Sequence, residues 1–207
     1  MTSREGHPVE LVDDSGTPLG TASVADAHHP PGRLHRAFSV LLTDATGQVL
    51  LQRRAAVKTR FPLRWANSCC GHPRPGESPV TAANRRLTEE LGIGPVELTE
   101  VGVYVYRAED PETGRVEFEY DHVLRGALPA DVVPDPEPTE VAELRWADPG
   151  EVSAGLVAEP QTYAPWLGGV IDRFLHPTDL PGRPTGPEGT ACGTPPAIDG
   201  AEPSGGR

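Results

Sequence analysis

Short apolar runs alternate with turn-forming clusters along most of the chain. Residues 37–43 and 48–53 are apolar runs held apart by Asp44-Ala45-Thr46-Gly47, which predicts two strands joined as a hairpin. Residues 101–107 and 116–124 read as a second pair of strands, with Asp110-Pro111-Glu112-Thr113-Gly114 between them, and residues 142–146 as a shorter one. Ser78-Pro79 predicts a helix start, with serine as N-cap and proline where no backbone N–H is needed. That helix runs to Leu91 and ends at Gly92, because glycine readily takes the left-handed conformation that closes a helix. Its buried stripe is Val80, Ala83, Leu87 and Leu91. A last helix over residues 163–175 carries Trp166, Val170 and Phe174 at steps of four. No internal repeat is visible. The order predicts an α+β fold, a mixed β-sheet packed between helices in one layered domain.

Composition sets the boundaries of that domain. The 207 residues suit one core. Glycine (23) and proline (24) together exceed a fifth of the chain, a sign of loops or tails. The excess gathers in residues 177–207, which hold almost no large apolar side chains and are expected to be a disordered tail. Residues 1–8 are expected to be a flexible polar lead, leaving residues 9–176 as the folded unit. A net charge of −12, from 18 basic and 30 acidic residues, disfavours nucleic acid as a partner, since duplex binding needs a basic face. Three cysteines, two of them adjacent at Cys69 and Cys70, do not make a disulfide framework. The first residues contain no apolar run resembling a signal peptide, and no stretch reaches the roughly 18 apolar residues of a membrane span. A soluble, cytoplasmic monomer with neither a nucleic-acid nor a membrane partner is expected.

The chemistry concentrates in a few segments. Gly71 to Ile93, GHPRPGESPVTAANRRLTEELGI, spaces Gly71, Glu77, Arg85, Glu89-Glu90 and Gly92-Ile93 in the pattern of a Nudix box, the loop–helix–loop that binds a divalent metal and a diphosphate. Carboxylates in the last turns of a helix suit a hard cation such as Mg²⁺. Hydrolases with this box usually place glutamate after the box arginine; here Arg86 stands there, reversing a charge in the metal site. Arg86 and Glu90 share a helix face at i, i+4, so one can meet phosphate oxygens while the other holds their metal. Elsewhere, His28, His35, His72, Glu117 and Glu119 form a candidate ligand set. Glu117 and Glu119 lie two apart on a strand and so face one side, ~6–7 Å apart; like charges so placed call for a cation. Three imidazoles and two carboxylates suit Zn²⁺, Mn²⁺ or Mg²⁺. Any one of these histidines alone is more often structural or exposed.

The Arg86 departure, together with Asn67-Ser68-Cys69-Cys70-Gly71-His72-Pro73, Arg33-Leu34-His35-Arg36-Ala37-Phe38-Ser39, Val116-Glu117-Phe118-Glu119 and Tyr163-Ala164-Pro165-Trp166, resembles the type I isopentenyl-diphosphate isomerases of the Nudix superfamily. The matches span roughly residues 9 to 175. The resemblance implies a Nudix fold and interconversion of isopentenyl and dimethylallyl diphosphate, for isoprenoid biosynthesis, through a tertiary carbocation. It implies Cys70 and Glu119 as the acid/base pair, Tyr106 as the hydrogen-bond partner of Glu119, and Trp166 as the ring facing the cation. It implies His28, His35, His72, Glu117 and Glu119 around one divalent ion. Arg54, Lys58 and Arg86 are the implied diphosphate contacts. Glu90 and the Cys70 carbonyl are the implied ligands of a magnesium carried with the diphosphate. The lysine this family often has four residues before its first metal histidine is replaced by Val24, so another cation is expected to substitute or affinity to be lower. Two rivals remain at this point. A Nudix pyrophosphohydrolase accounts for the box but not for Arg86; a silent binding module has no need of Cys70 or Glu119.

Overall fold

A hairpin of β1 (Pro8–Val12) and β2 (Pro18–Ser23) opens the computed structural model, which describes residues 4–178. One turn of helix, α1 (Val24–Ala27), leads through a loop into β3 (His35–Thr43), and β4 (Val49–Arg54) turns back from it. Two short strands, β5 (Trp65–Ala66) and β6 (Cys69–Gly71), precede α2 (Pro79–Leu91). The long strands β7 (Leu98–Glu109) and β8 (Val116–Ala127) form an antiparallel pair. The chain ends in β9 (Val141–Ala147), α3 (Pro149–Ala158) and α4 (Leu167–Leu175). Of the expected lead, residues 4–8 are described: Arg4–Gly6 form a single 3-10 turn and Pro8 opens β1. The expected tail lies outside the described residues, apart from Pro177 and Thr178.

β3 is the hub of the mixed sheet. One of its edges lies wholly parallel to β8, in a register that pairs His35 with Glu119 and Ser39 with Val123. Its other edge is divided among β1 at His35, β6 at residues 38–40 and β4 at Thr43. Side chains alternate across a strand, so the sheet has two cores. On one face Phe38, Val40, Leu42 and Leu124 pack against Ala83, Leu87 and Leu91 of α2. On the other, Leu41 and Val123 pack with Val170 and Ile171 of α4. The sheet between helices is the architecture expected from the order of elements.

The expected helix at Ser78 is α2. The Ser78 hydroxyl accepts from the Thr81 N–H at 3.1 Å, and Gly92 closes the helix at φ 64°. The last helix begins four residues later than expected, at Leu167. Pro165 bars Ala164 from helical backbone, and Tyr163 is extended, bridging to Trp65. β1, β2 and α3 have no counterpart in the sequence reading. β2 is exposed over its first four residues, and α3 buries only Val152, so neither shows a clear apolar period.

Candidate active site

The parallel register of β3 and β8 builds the centre of the site. His35 enters beside Glu119, and Glu117 shares its face two residues earlier. The turn after α1 brings His28, whose carbonyl accepts from the Val116 N–H at 3.0 Å. Gly32 makes that approach possible. It sits at φ 84°, and a Cβ there would lie 2.6 Å from the Val116 side chain, so the position takes glycine. β6 delivers His72 from the far side. The three imidazole centroids are 4.6, 4.8 and 5.2 Å apart, and ligand atoms of His28, His35, His72 and Glu119 all lie within 4.8 Å of one another.

The surroundings of these rings fit a divalent cation. His28 Nδ1 contacts the Val24 carbonyl and His35 Nδ1 the Arg33 carbonyl, each at 2.7 Å. A carbonyl takes a proton from Nδ1 and leaves Nε2 free to ligate. His35 Nε2 is buried with no hydrogen-bond partner, a polar atom that a metal ion would satisfy. Glu117 stands just outside the four-residue group: its Oε2 meets His28 Nε2 at 2.8 Å, and its Oε1 accepts from Arg60 Nε at 3.0 Å. Burial alone would lift the Glu117 carboxyl, but the charges of His28 and Arg60 outweigh it and hold it near 2. Burial would likewise lower His28, yet Glu117 leaves it raised. Burial dominates at His72, which drops to about 4 and stays neutral.

Glu119 links this cluster to the rest of the cavity. Its Oε1 meets His72 Nε2 at 2.9 Å and its Oε2 accepts from the Tyr106 hydroxyl at 2.6 Å. Burial works against the carboxylate, but the imidazoles of His72, hydrogen-bonded to it, and of His35, 3.7 Å away, outweigh burial and hold Glu119 well below the usual carboxylate range. Cys70 lines the same cavity. Its thiol is pushed up by burial, against the pull of Arg54 and Lys58. Adjacent residues on β6 point to opposite faces, so Cys69 enters the α2 core while Cys70 packs beside the α4 core. Trp166 also lines the cavity, its ring 6.0 Å from Tyr106 and its Nε1–H donating to Asn67 at 3.0 Å.

Positive charge gathers at the other end of the cavity. Arg86 of α2 pairs with Glu89 at 2.8 Å, with Glu90 closer still, and with Glu140 at 3.4 Å. Lys58 also pairs with Glu140. Arg54 is turned differently from the other two expected phosphate contacts. Its guanidinium donates to the Arg60 and Phe61 carbonyls and approaches the Cys70 Sγ at 3.7 Å, over the Trp166 ring. Glu90, the expected magnesium ligand, is buried against Arg86 and Gln52. Every expected site residue except Glu90 is on the cavity wall or in the imidazole cluster. The sequence reading missed Arg4, Arg60, Glu140 and Asp121. Asp121 is fully buried next along the Glu117–Glu119 face, and burial reinforced by the Glu119 charge raises its carboxyl well above the usual range. The i, i+2, i+4 spacing of three acids on one strand was the available signal for it.

Comparison with known proteins gives the family. The NUDIX domain family model matches residues 33–174. The isopentenyl-diphosphate Delta-isomerase of Nocardia farcinica is 63% identical over 165 residues, covering 80% of this chain and 93% of that one. The enzyme of the same name from Streptomyces coelicolor is 47% identical, covering 79% and 81%. Among solved structures, a Deinococcus radiodurans protein superposes with a TM-score of 0.66 at 21% identity, covering 81% of this chain and 98% of that one, which bears on the fold alone. The chain belongs to the NUDIX superfamily and, within it, to the isopentenyl-diphosphate Delta-isomerase family.

Proposed function

We propose that the chain interconverts isopentenyl diphosphate and dimethylallyl diphosphate by moving a proton onto one end of the alkene system and removing one from the other. The observation that carries this reading is the cavity wall itself, where a thiol, a carboxylate and an indole meet a cluster of cations. The hydrocarbon end of the substrate lies among Cys70, Glu119, Tyr106 and Trp166, and its diphosphate among Lys58, Arg86 and Arg54. An alkene is a very weak base, so its protonation needs a placed acid in a site that excludes water. In the direction from isopentenyl diphosphate, C4 gains a proton, the cation forms at C3, and C2 loses a proton. One of the pair Cys70 and Glu119 gives while the other takes. The thiol kept protonated and the carboxylate kept ionised are poised for the direction in which Cys70 donates; the reverse direction starts from the opposite state. The Trp166 face supports the cation at C3, worth ~2 kcal/mol when desolvated.

His28, His35, His72 and Glu119, joined by Glu117, are the residues that would hold a Mn²⁺, Zn²⁺ or Mg²⁺ ion. Such an ion supplies positive charge that fixes Glu119 and tunes its acidity. Glu90 and the Cys70 carbonyl would hold the Mg²⁺ that travels with the diphosphate, once Glu90 is released from Arg86. We read the chain as a cytoplasmic monomer acting on this small diphosphate, with no nucleic-acid or membrane partner; a dimer in size-exclusion chromatography would overturn the first part.

Proton NMR of the protein with isopentenyl diphosphate and Mg²⁺ in D₂O tests the reading. Dimethylallyl diphosphate carrying deuterium, with no phosphate released, is the expected result. Cys70→Ala and Glu119→Gln should each abolish it while the fold remains. Phosphate release without double-bond movement would show a hydrolase instead.

A further inference from the structure

We infer that Arg4 is a diphosphate-binding residue, carried into the anion end of the cavity by the N-terminal 3-10 turn. The inference rests on the isomerase reading for the identity of the substrate, but its geometry stands apart from that reading. Arg4 lines the same cavity as Lys58 and Arg86. Its Nη1 is 2.9 Å from Glu140 Oε1, and its guanidinium reaches Glu89 at 3.5 Å and Glu90 at 3.9 Å. The second oxygen of Glu140 is shared by Lys58 and Arg86. Three cations from three separate parts of the chain thus converge on one buried carboxylate.

Like charges gathered so closely repel unless anions sit among them. In the ligand-free chain Glu89, Glu90 and Glu140 lie among them; a diphosphate offers further oxygens to which these cations can turn and takes guanidinium groups in bidentate fashion. Arg4 is also the member of the trio best able to change partners, its side chain being 41% exposed against 9% for Arg86. Its backbone is nonetheless held in place. The His7 N–H donates to the Arg4 carbonyl at 3.0 Å, the Val24 N–H to the His7 carbonyl at 2.9 Å, and Glu5 pairs with Arg60 at 2.9 Å. Val24 lies on the same wall and brings no charge, so the turn adds a cation where α1 has none.

Calorimetric titration of the full chain with inorganic pyrophosphate and Mg²⁺ decides the matter without turnover. Arg4→Ala should bind about tenfold more weakly than the wild type, the scale of one charge-assisted hydrogen bond, and Arg4→Lys should restore most of the loss. Arg125→Ala, an exposed arginine away from this cavity, controls for net charge and should bind like the wild type. With isopentenyl diphosphate, KM should rise by a similar factor in Arg4→Ala while kcat stays within about twofold. Pyrophosphate binding by Arg4→Ala within twofold of the wild type, or an equal loss in Arg125→Ala, would overturn the inference. A wild type that binds pyrophosphate yet moves no double bond would instead sink the isomerase reading and leave the Arg4 result to be read from binding alone.

Discussion

Tyr106→Phe isolates one hydrogen bond at the reacting end of the cavity. The Tyr106 hydroxyl donates to Glu119 Oε2 over 2.6 Å, and both residues are buried, at 9% and 8% exposure. Burial, with the Glu119 charge added, pushes the phenol well above its ordinary value, so it is a donor at every working pH. Phenylalanine keeps the stacking on Tyr104 at 5.4 Å and on Trp166 at 6.0 Å, so the packing survives and the lost interaction is the hydrogen bond. A hydrogen bond to a charged group contributes about 1.5–3 kcal/mol, which corresponds to a factor of roughly 10 to 150 in rate if it is realised fully at the transition state. In the proposed mechanism Glu119 holds and exchanges a proton, so the loss should fall on kcat. KM should move less than about threefold, because the hydrogen bond that is lost lies at Glu119 and not in the Arg86–Glu140 cluster. Initial rates of dimethylallyl diphosphate formation at saturating Mg²⁺, with a thermal melt to confirm folding, provide the assay. A kcat within twofold of the wild type, or a loss appearing in KM alone, would refute the argued coupling between this phenol and Glu119.

Other outcomes follow from the same geometry. In the metal-free protein the His28 pKa is raised by Glu117, so a proton occupies it below that folded value and an entering metal must displace it. Apparent Mn²⁺ affinity should therefore climb as pH rises toward the folded His28 pKa and level off above it, with His72, lowered to about 4, adding no further proton above pH ~5; an affinity flat from about pH 5.5 to 8 in calorimetry would count against the proposed ligand set. Glu140→Gln removes a buried carboxylate from among Arg4, Lys58 and Arg86 and should destabilise the ligand-free protein by about 3–5 kcal/mol, an effect that a melt unchanged within a degree would contradict. Gly32→Ala combines a left-handed backbone with a clash against Val116; it should cost about 1–3 kcal/mol and also weaken metal binding, since residue 32 sets the path from His28 to His35. Full metal affinity in that variant would mean the loop tolerates a different route.

The imidazole–carboxylate half of the candidate site was the more legible, because its residues obey local rules. Glu117 and Glu119 follow the period of a strand, and α2 announces itself through Ser78, Pro79 and Gly92, whose backbone roles are set within a few residues. What local pattern does not contain is the register that sets β3 parallel to β8 and so brings His35 beside Glu119; that juxtaposition came from resemblance rather than from periodicity. The cation cluster was the harder half. Glu140 meets Arg86 from 54 residues away and Lys58 from 82, and Arg4 sits in a turn that buries no side chain. No periodic signal marks a loop carboxylate that becomes buried only when three distant segments close around it. Arg86 shows why the two halves nevertheless form one site. Its charge, where hydrolases with this box carry a carboxylate, is matched in the fold by Glu90 on its own helix and by Glu140 from the loop before β9. Arg86 thus shares Glu140 with Lys58 and Arg4, at the end of the cavity where the proposed diphosphate would lie. The Glu140→Gln melt and the Arg4→Ala titration probe that shared carboxylate from opposite sides, one by removing it and one by removing a cation that faces it.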